Sequence, residues 1–362
     1  MRPIALGLAA VLWSASLVSA ADIYGLEKGT PDLKSADVLA FGPDGVLFIG
    51  DTDSAAIFAI QTNDEGQNVG TVDVDGLNVK IAEKLGGSSQ ELQIKDLAVN
   101  PATGNVFVAV SNGDAPALVK VDQHGGLSAV SLEDVAFSKA ELPDAPAPGK
   151  VLVGGREREL RPDVITDLAF VEGQLLVTGT SNADSPSTVR SFAFPFSKLD
   201  AGASLEIYHG AHGKSEDYSA PRTFVPFTIG GEPNLLAGFV CTPLVRFPIS
   251  EVKPGNQIKG TTVAELGNRN RPFDMIVYEQ DGKNYLLMIN SARGTMKIST
   301  EQIEENAGIT ERVERGETAG QSYEKIASLA GAQQLDKLND THAVVLLQTD
   351  SGAMDLRTVA LP

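Results

Sequence analysis

The sequence predicts an all-β chain folded as a six-bladed β-propeller with four-stranded blades, and three observations carry that prediction. The apolar segments are short and bounded by turn residues. No stripe of 3.6-residue period runs through the body of the chain. One strand-turn-strand pattern recurs six times. Glycine, at 36 residues, supplies the turns such a pattern needs.

The first copy is Val38-Leu39-Ala40-Phe41, the turn Gly42-Pro43-Asp44-Gly45, Val46-Leu47-Phe48-Ile49, polar Asp51-Thr52-Asp53-Ser54, and a third strand from Ile57 to Ile60. Proline presets φ in that turn, and glycine permits positive φ. The second copy begins at Asp96, turns at Asn100-Pro101-Ala102-Thr103-Gly104 and continues through Val106 to Val110 and Leu118 to Val121. The third and fourth begin at Asp167 and Thr223, the fifth at Asp274, and a weaker sixth covers Leu335 to Leu356. The spacing leaves room for a fourth strand in each unit. Roughly 340 mature residues exceed the usual single-core size, so a repetitive architecture accounts for them better than one compact core. Residues 21–362 are expected to form a single propeller domain.

Two stretches depart from the repeat. Phe137 to Pro162 holds the proline-rich Leu142 to Gly149 and the charged Arg156-Glu157-Arg158-Glu159, expected as a surface insertion with an outer hairpin. Thr300 to Gly320 carries Glu301, Glu304, Glu305, Glu311, Glu314 and Glu317, expected as a short helix and an exposed loop.

The N-terminus opens with Arg2, an apolar run from Ile4 to Val18 and Val18-Ser19-Ala20 before Ala21, the pattern of a secretory signal peptide over residues 1–20. The mature protein is therefore expected to be exported, to a periplasm or outside the cell. No later stretch approaches the ~18 apolar residues of a membrane span. The formal charge of −18 argues against nucleic acid and anionic membranes as partners, and is compatible with cations or basic proteins. A single cysteine cannot form an internal disulfide, which leaves a buried inert thiol, an intermolecular bridge or a metal ligand.

The units beginning at Val38, Asp96, Asp167 and Asp274 resemble those of six-bladed propellers of the NHL and SMP-30/gluconolactonase type, over nearly the whole mature chain. The resemblance implies the fold. It implies no single activity, because such propellers host enzymes, binders and scaffolds alike. The SMP-30-like lactonases bind a divalent metal at the channel mouth through acidic and amide side chains, and those ligands do not match here position by position. In propellers of this type, the loops joining second and third strands share a mouth with those leading into each blade. On that register Cys241, His209 and His212 open onto one concavity, with Asp37, Asp96, Asp167, Arg222, Arg271 and Asp274 on its rim.

Three chemistries follow. His209, His212 and Cys241 form a ligand set for zinc or, with a weak thioether from Met275 or Met288, for copper. The inert alternative is a buried cysteine beside polar loop histidines. Oxygen ligands at the rim, Asp51, Asp53, Asn112, Asp114, Asn182 and Asn290, could hold calcium and polarise a lactone or ester carbonyl for hydrolysis. Asp and Asn also stabilise turns. Cys241 could also act as nucleophile with His209 or His212 as base. Arg222 and Arg271 either clamp an anionic ligand or pair with rim aspartates. The leading expectation is a propeller binding copper or zinc at the channel mouth; the alternatives are a cation-dependent lactonase and a non-catalytic protein-interaction propeller.

Overall fold

A computed structural model describes residues 24–67, 70–113, 115–314 and 316–362; the expected signal peptide and Asp114 lie outside them. Six antiparallel sheets stand in a ring, as the repeat predicts. Their innermost strands are Val38–Phe41, Leu92–Val99, Asp167–Val171, Thr223–Ile229, Pro272–Gln280 and Ala332–Lys337. Each pairs with the strand that follows it through a tight turn. Successive side chains of a strand point to opposite faces, and both faces of every sheet meet a neighbouring sheet. The core is accordingly divided into six apolar wedges, one between each pair of adjacent blades.

The ring does not follow the order of the sequence. Leu92–Val99 packs between Val38–Phe41 and Ala332–Lys337, so the second unit of the chain stands between the first and the last. After the third strand of the first blade, Ala56–Gln61, the chain crosses to the last blade. There Val74 and Leu356 exchange two backbone hydrogen bonds of 2.9 Å. This short segment completes a sheet that otherwise has three strands. A helix, Leu77–Leu85, then buries Leu77, Ile81 and Ala82 and stops at Gly86, whose φ of 72° closes the last turn. Once the second blade is built the chain returns, and Val135–Glu141 pairs with Ala56–Gln61 as an outer strand of the first blade, with Glu27–Gly29 paired beyond it.

The two irregular stretches differ from expectation. Phe137 to Glu141 belongs to that outer strand rather than to an insertion; its alternating pattern was masked by the proline-rich run after it. Lys150–Val153 and Arg156–Glu159 form the expected two-stranded hairpin. Between them and the strand, Asp144 is buried and receives the fully buried guanidinium of Arg190 at 2.6 Å. Among the described residues, 300–320 holds no helix; a dense run of glutamates offers no apolar stripe to bury. Ala319–Gly320 instead adds to the edge of the fourth sheet.

Aspartates latch the blades together around the channel. Asp96, Asp167, Asp274 and Asp336 each accept the backbone N–H of the next residue, at 2.6–2.8 Å. Their second oxygens accept from Leu39, Phe224, Leu335 and Val99 on the adjacent blade, at 2.7–2.9 Å. Burial raises all four pKa values, to about 7 for Asp167 and about 6 for Asp336. For Asp96 and Asp274 burial comes first, and the mutual repulsion of the channel carboxylates adds to it.

Candidate metal centre

His209 is the last residue of Ala203–His209, the outermost long strand of the third blade, and is buried. The chain then folds back through Gly210-Ala211-His212-Gly213. The N–H groups of His212 and Gly213 donate to the His209 carbonyl at 3.0 and 2.8 Å, and Gly213 takes a φ of 66°. Lys214–Glu216 pairs with the strand it left, Glu216 lying opposite Ile207. That hairpin brings one buried carboxylate to both imidazoles: Nδ1 of His209 is 3.0 Å from Glu216 Oε2, and Nδ1 of His212 is 2.7 Å from Oε1.

A carboxylate can only accept, so both rings carry a proton on Nδ1 and present Nε2 on their other side. The rings lie 3.9 Å apart between centroids. His209 Nε2 is buried with no well-directed hydrogen-bond partner. The Cys241 thiol lies close enough to perturb that ring.

Cys241 comes from the fourth blade, in the turn between Glu232–Gly238 and Pro243–Pro248. The Thr242 N–H closes this turn on the Phe239 carbonyl at 2.8 Å. Cys241 occupies its third position with a φ of +66°, followed by Thr242 at +49°. Glycine or asparagine ordinarily takes such a place, and a cysteine there costs roughly 1–2 kcal/mol. The strain is held by the Cys241 N–H on the Asn270 carbonyl at 2.7 Å and by Thr242 Oγ1 on the Gly267 carbonyl at 2.8 Å. One ligand atom from each of His209, His212 and Cys241 falls within 4.8 Å of the others. Bonds of ~2.0–2.3 Å to one ion need separations of about 3.3–4.0 Å, so the three side chains would close by about 1 Å.

The electrostatics agree with a preset site. Burial opposes charge on His209, but the contacts with Cys241 and Glu216 outweigh it and hold the pKa up at about 9. Burial likewise works against the Glu216 carboxylate, and hydrogen bonds from His209, Tyr218 and His212 overcome it, bringing the pKa down to about 2. The Cys241 thiol is lowered, chiefly by His209 and against its own burial. Sequence reading missed Glu216; the signal was its register, seven residues beyond His209 across a glycine turn.

The centre does not open on the channel mouth. It lines a separate cavity of about 650 Å³ with Tyr218, Ser219, Val240 and Asn268. The outer strand of a blade lies farthest from the axis, so a residue at its end cannot reach the central hollow. Met275 is not a ligand either; the alternation of its strand turns it into the wedge between fourth and fifth blades, beside Val225, Met288 and Met296. Met288 is buried in the same wedge.

The channel mouth is a cavity of about 630 Å³, and Asp37, Asp53, Asp96, Asp167, Asp274, Arg222 and Arg271 do line it. Arg222 pairs with Asp163 at 2.6 Å, one of the two outcomes expected for it. Arg271 is exposed and makes no ion pair among the described residues. The amides and Asp51 do not gather there. Asp51 is fully buried and spent on the N–H groups of Lys34, Ser35 and Ser54. Asn290 Oδ1 caps Ala292 and Arg293 at 3.1 and 3.0 Å. Asn112 packs over Gly87, and Asn182 is exposed beside Asp144, whose carbonyl accepts its N–H. The oxygen set of a calcium lactonase is thus not assembled from these four residues.

No protein-family model matches the sequence, and no curated protein matches it either. Solved structures similar to this chain include Drosophila Plexin A in complex with Semaphorin 1b, 11% identical with a TM-score of 0.39 over 93% of this chain and 87% of that one. Another is virginiamycin B lyase of Staphylococcus aureus, 9% identical, TM-score 0.35, over 93% and 99%. A third is the PQQ-bound aldose sugar dehydrogenase of Streptomyces coelicolor, 12% identical, TM-score 0.32, over 92% and 96%. At these TM-scores nothing about fold or activity is drawn from the likeness. Among the described residues, no helix is long and apolar enough to cross a membrane.

Proposed function

We propose that this chain is an exported propeller that binds a thiophilic transition metal between its third and fourth blades, through Nε2 of His209, Nε2 of His212 and Sγ of Cys241. The observation that carries this reading is the single carboxylate of Glu216 held between both Nδ1 atoms. Metal-binding histidines ordinarily rest on a carboxylate in this way, and two imidazoles and a thiol here bring ligand atoms within 4.8 Å of one another. Among the described residues no methionine lines the cavity, where an electron-transfer copper site would have its weak thioether. Three protein ligands with a fourth position open to a cavity suit zinc.

The test is elemental analysis and cobalt substitution of the purified mature protein. A stoichiometric metal and an intense thiolate-to-cobalt absorption band are expected, both lost in Cys241→Ser and His209→Ala. Absence of zinc and copper, with no cobalt band, would sink the proposal. A second reading has its own support: the lowered thiol pKa and the left-handed backbone of Cys241 suit a nucleophile with His209 as base and Glu216 as its orienting group. Rapid alkylation of Cys241 that added zinc does not slow would favour it.

A further inference from the structure

We infer that the same cavity receives a small ligand bearing at least two anionic oxygens, gripped by guanidinium groups while it reaches the proposed metal. This rests on the metal reading above and adds the class of ligand. The chain has 47 acidic and 29 basic residues, so an average concavity on it should be acidic. This one is the reverse. Arg156, Arg158, Lys214, Arg269 and Arg312 line it, and among the described residues its one acidic lining residue is Glu216, already bound to both histidines.

The arginines are also uncompensated. Lys214 reaches Glu216 at 3.5 Å, but among the described residues the four arginines make no ion pair. Arg158 lies over the Tyr218 ring at 4.5 Å, which fixes its plane, and its buried Nε has no hydrogen-bond partner. Like charges repel, and arginines lining one hollow whose acid, Glu216, is already engaged by two histidines and Lys214 are stabilised when an anion sits there. Guanidinium forks match carboxylate and phosphate oxygens in pairs, and 650 Å³ is the volume of a metabolite-sized site.

The origin of these side chains strengthens the case. Arg156 and Arg158 come from the hairpin Lys150–Glu159, whose turn at Gly154 packs so tightly on Tyr218 that a Cβ there would lie 2.8 Å from the ring. Arg312 comes from the other irregular stretch and lies along Gly213 in the histidine turn, while Val313 N–H donates to the Gly210 carbonyl at 3.0 Å. Both segments outside the repeat therefore converge on one cavity and bring it positive charge.

Calorimetric titration of zinc-loaded and metal-free protein with phenyl phosphate and with glutarate, and with neutral glutaramide as control, tests the inference and separates phosphate from carboxylate sources. At least one dianion is expected to bind, glutaramide not to bind, and Arg158→Gln/Arg312→Gln to weaken binding at least tenfold with its cobalt band unchanged. Arg156 and Arg269 are exposed, so Arg156→Gln/Arg269→Gln repeats the test without risk to folding. No dianion binding, or binding that neither double variant weakens, overturns the inference. The cobalt band reports the metal separately: arginine-dependent binding to a protein without the band would retain the anion site and discard the metal.

Discussion

Glu216→Gln is the sharpest perturbation of the centre because it changes one atom and no volume. The glutamine keeps one acceptor oxygen and replaces the other with an NH₂ group, so only one imidazole can still donate from Nδ1. The other must move its proton to Nε2, the atom needed for the metal. His209 is 3% exposed and cannot turn its ring to water instead. Loss of such a supporting carboxylate costs roughly 10–100-fold in metal affinity, about 1.4–2.7 kcal/mol. Competition with a chelator of known affinity would measure it, with the thermal unfolding midpoint recorded to exclude collapse of the hairpin. Affinity within threefold of the parent, in a protein that still holds stoichiometric metal, would refute the assignment of both Nε2 atoms as ligands.

Three further outcomes are expected. Metal uptake should release at least one proton near neutral pH, because His209, with a pKa of about 9, must give up its Nε2 proton; apparent affinity therefore rises with pH up to about 9 and levels off, measurable with a pH indicator in weak buffer. Arg190→Ala should destabilise the fold by roughly 3–5 kcal/mol in a denaturant titration, since it strands buried Asp144 and the carbonyls of Val164 and Thr180. The carboxyl carbons of Asp336 and Asp167 should titrate near pH 6 and 7 by NMR. With folded-state pKa values above the unfolded ones, these two aspartates add stability below about pH 4 and lose it as pH rises through 6 to 7.

The strands were legible because each is a run of apolar residues ended by turn chemistry, as at Gly42-Pro43-Asp44-Gly45. Pairing of His209, His212 and Cys241 could be read from blade counting alone. Distance from the axis could not: the loop after an outer strand was expected at the central mouth, whereas His209 at the end of Ala203–His209 lines a cavity of its own. Met275 was misread because a thioether looks like a ligand until the period of Pro272–Gln280 assigns it to a face. The order of blades around the ring escaped because each repeat copy is locally complete, whereas the bridge from Val74 to Leu356 joins residues with no shared pattern.

That bridge and the returning strand Val135–Glu141 tie three neighbouring blades into one interwoven unit. No cut between successive repeats would release an intact module from the first third of the molecule, because its opening sheet is finished only after the following one exists. Nor can the ring close before its sixth blade is made: the sheet that Val74 completes is built from Ala332–Lys337, His342–Gln348 and Met354–Ala360.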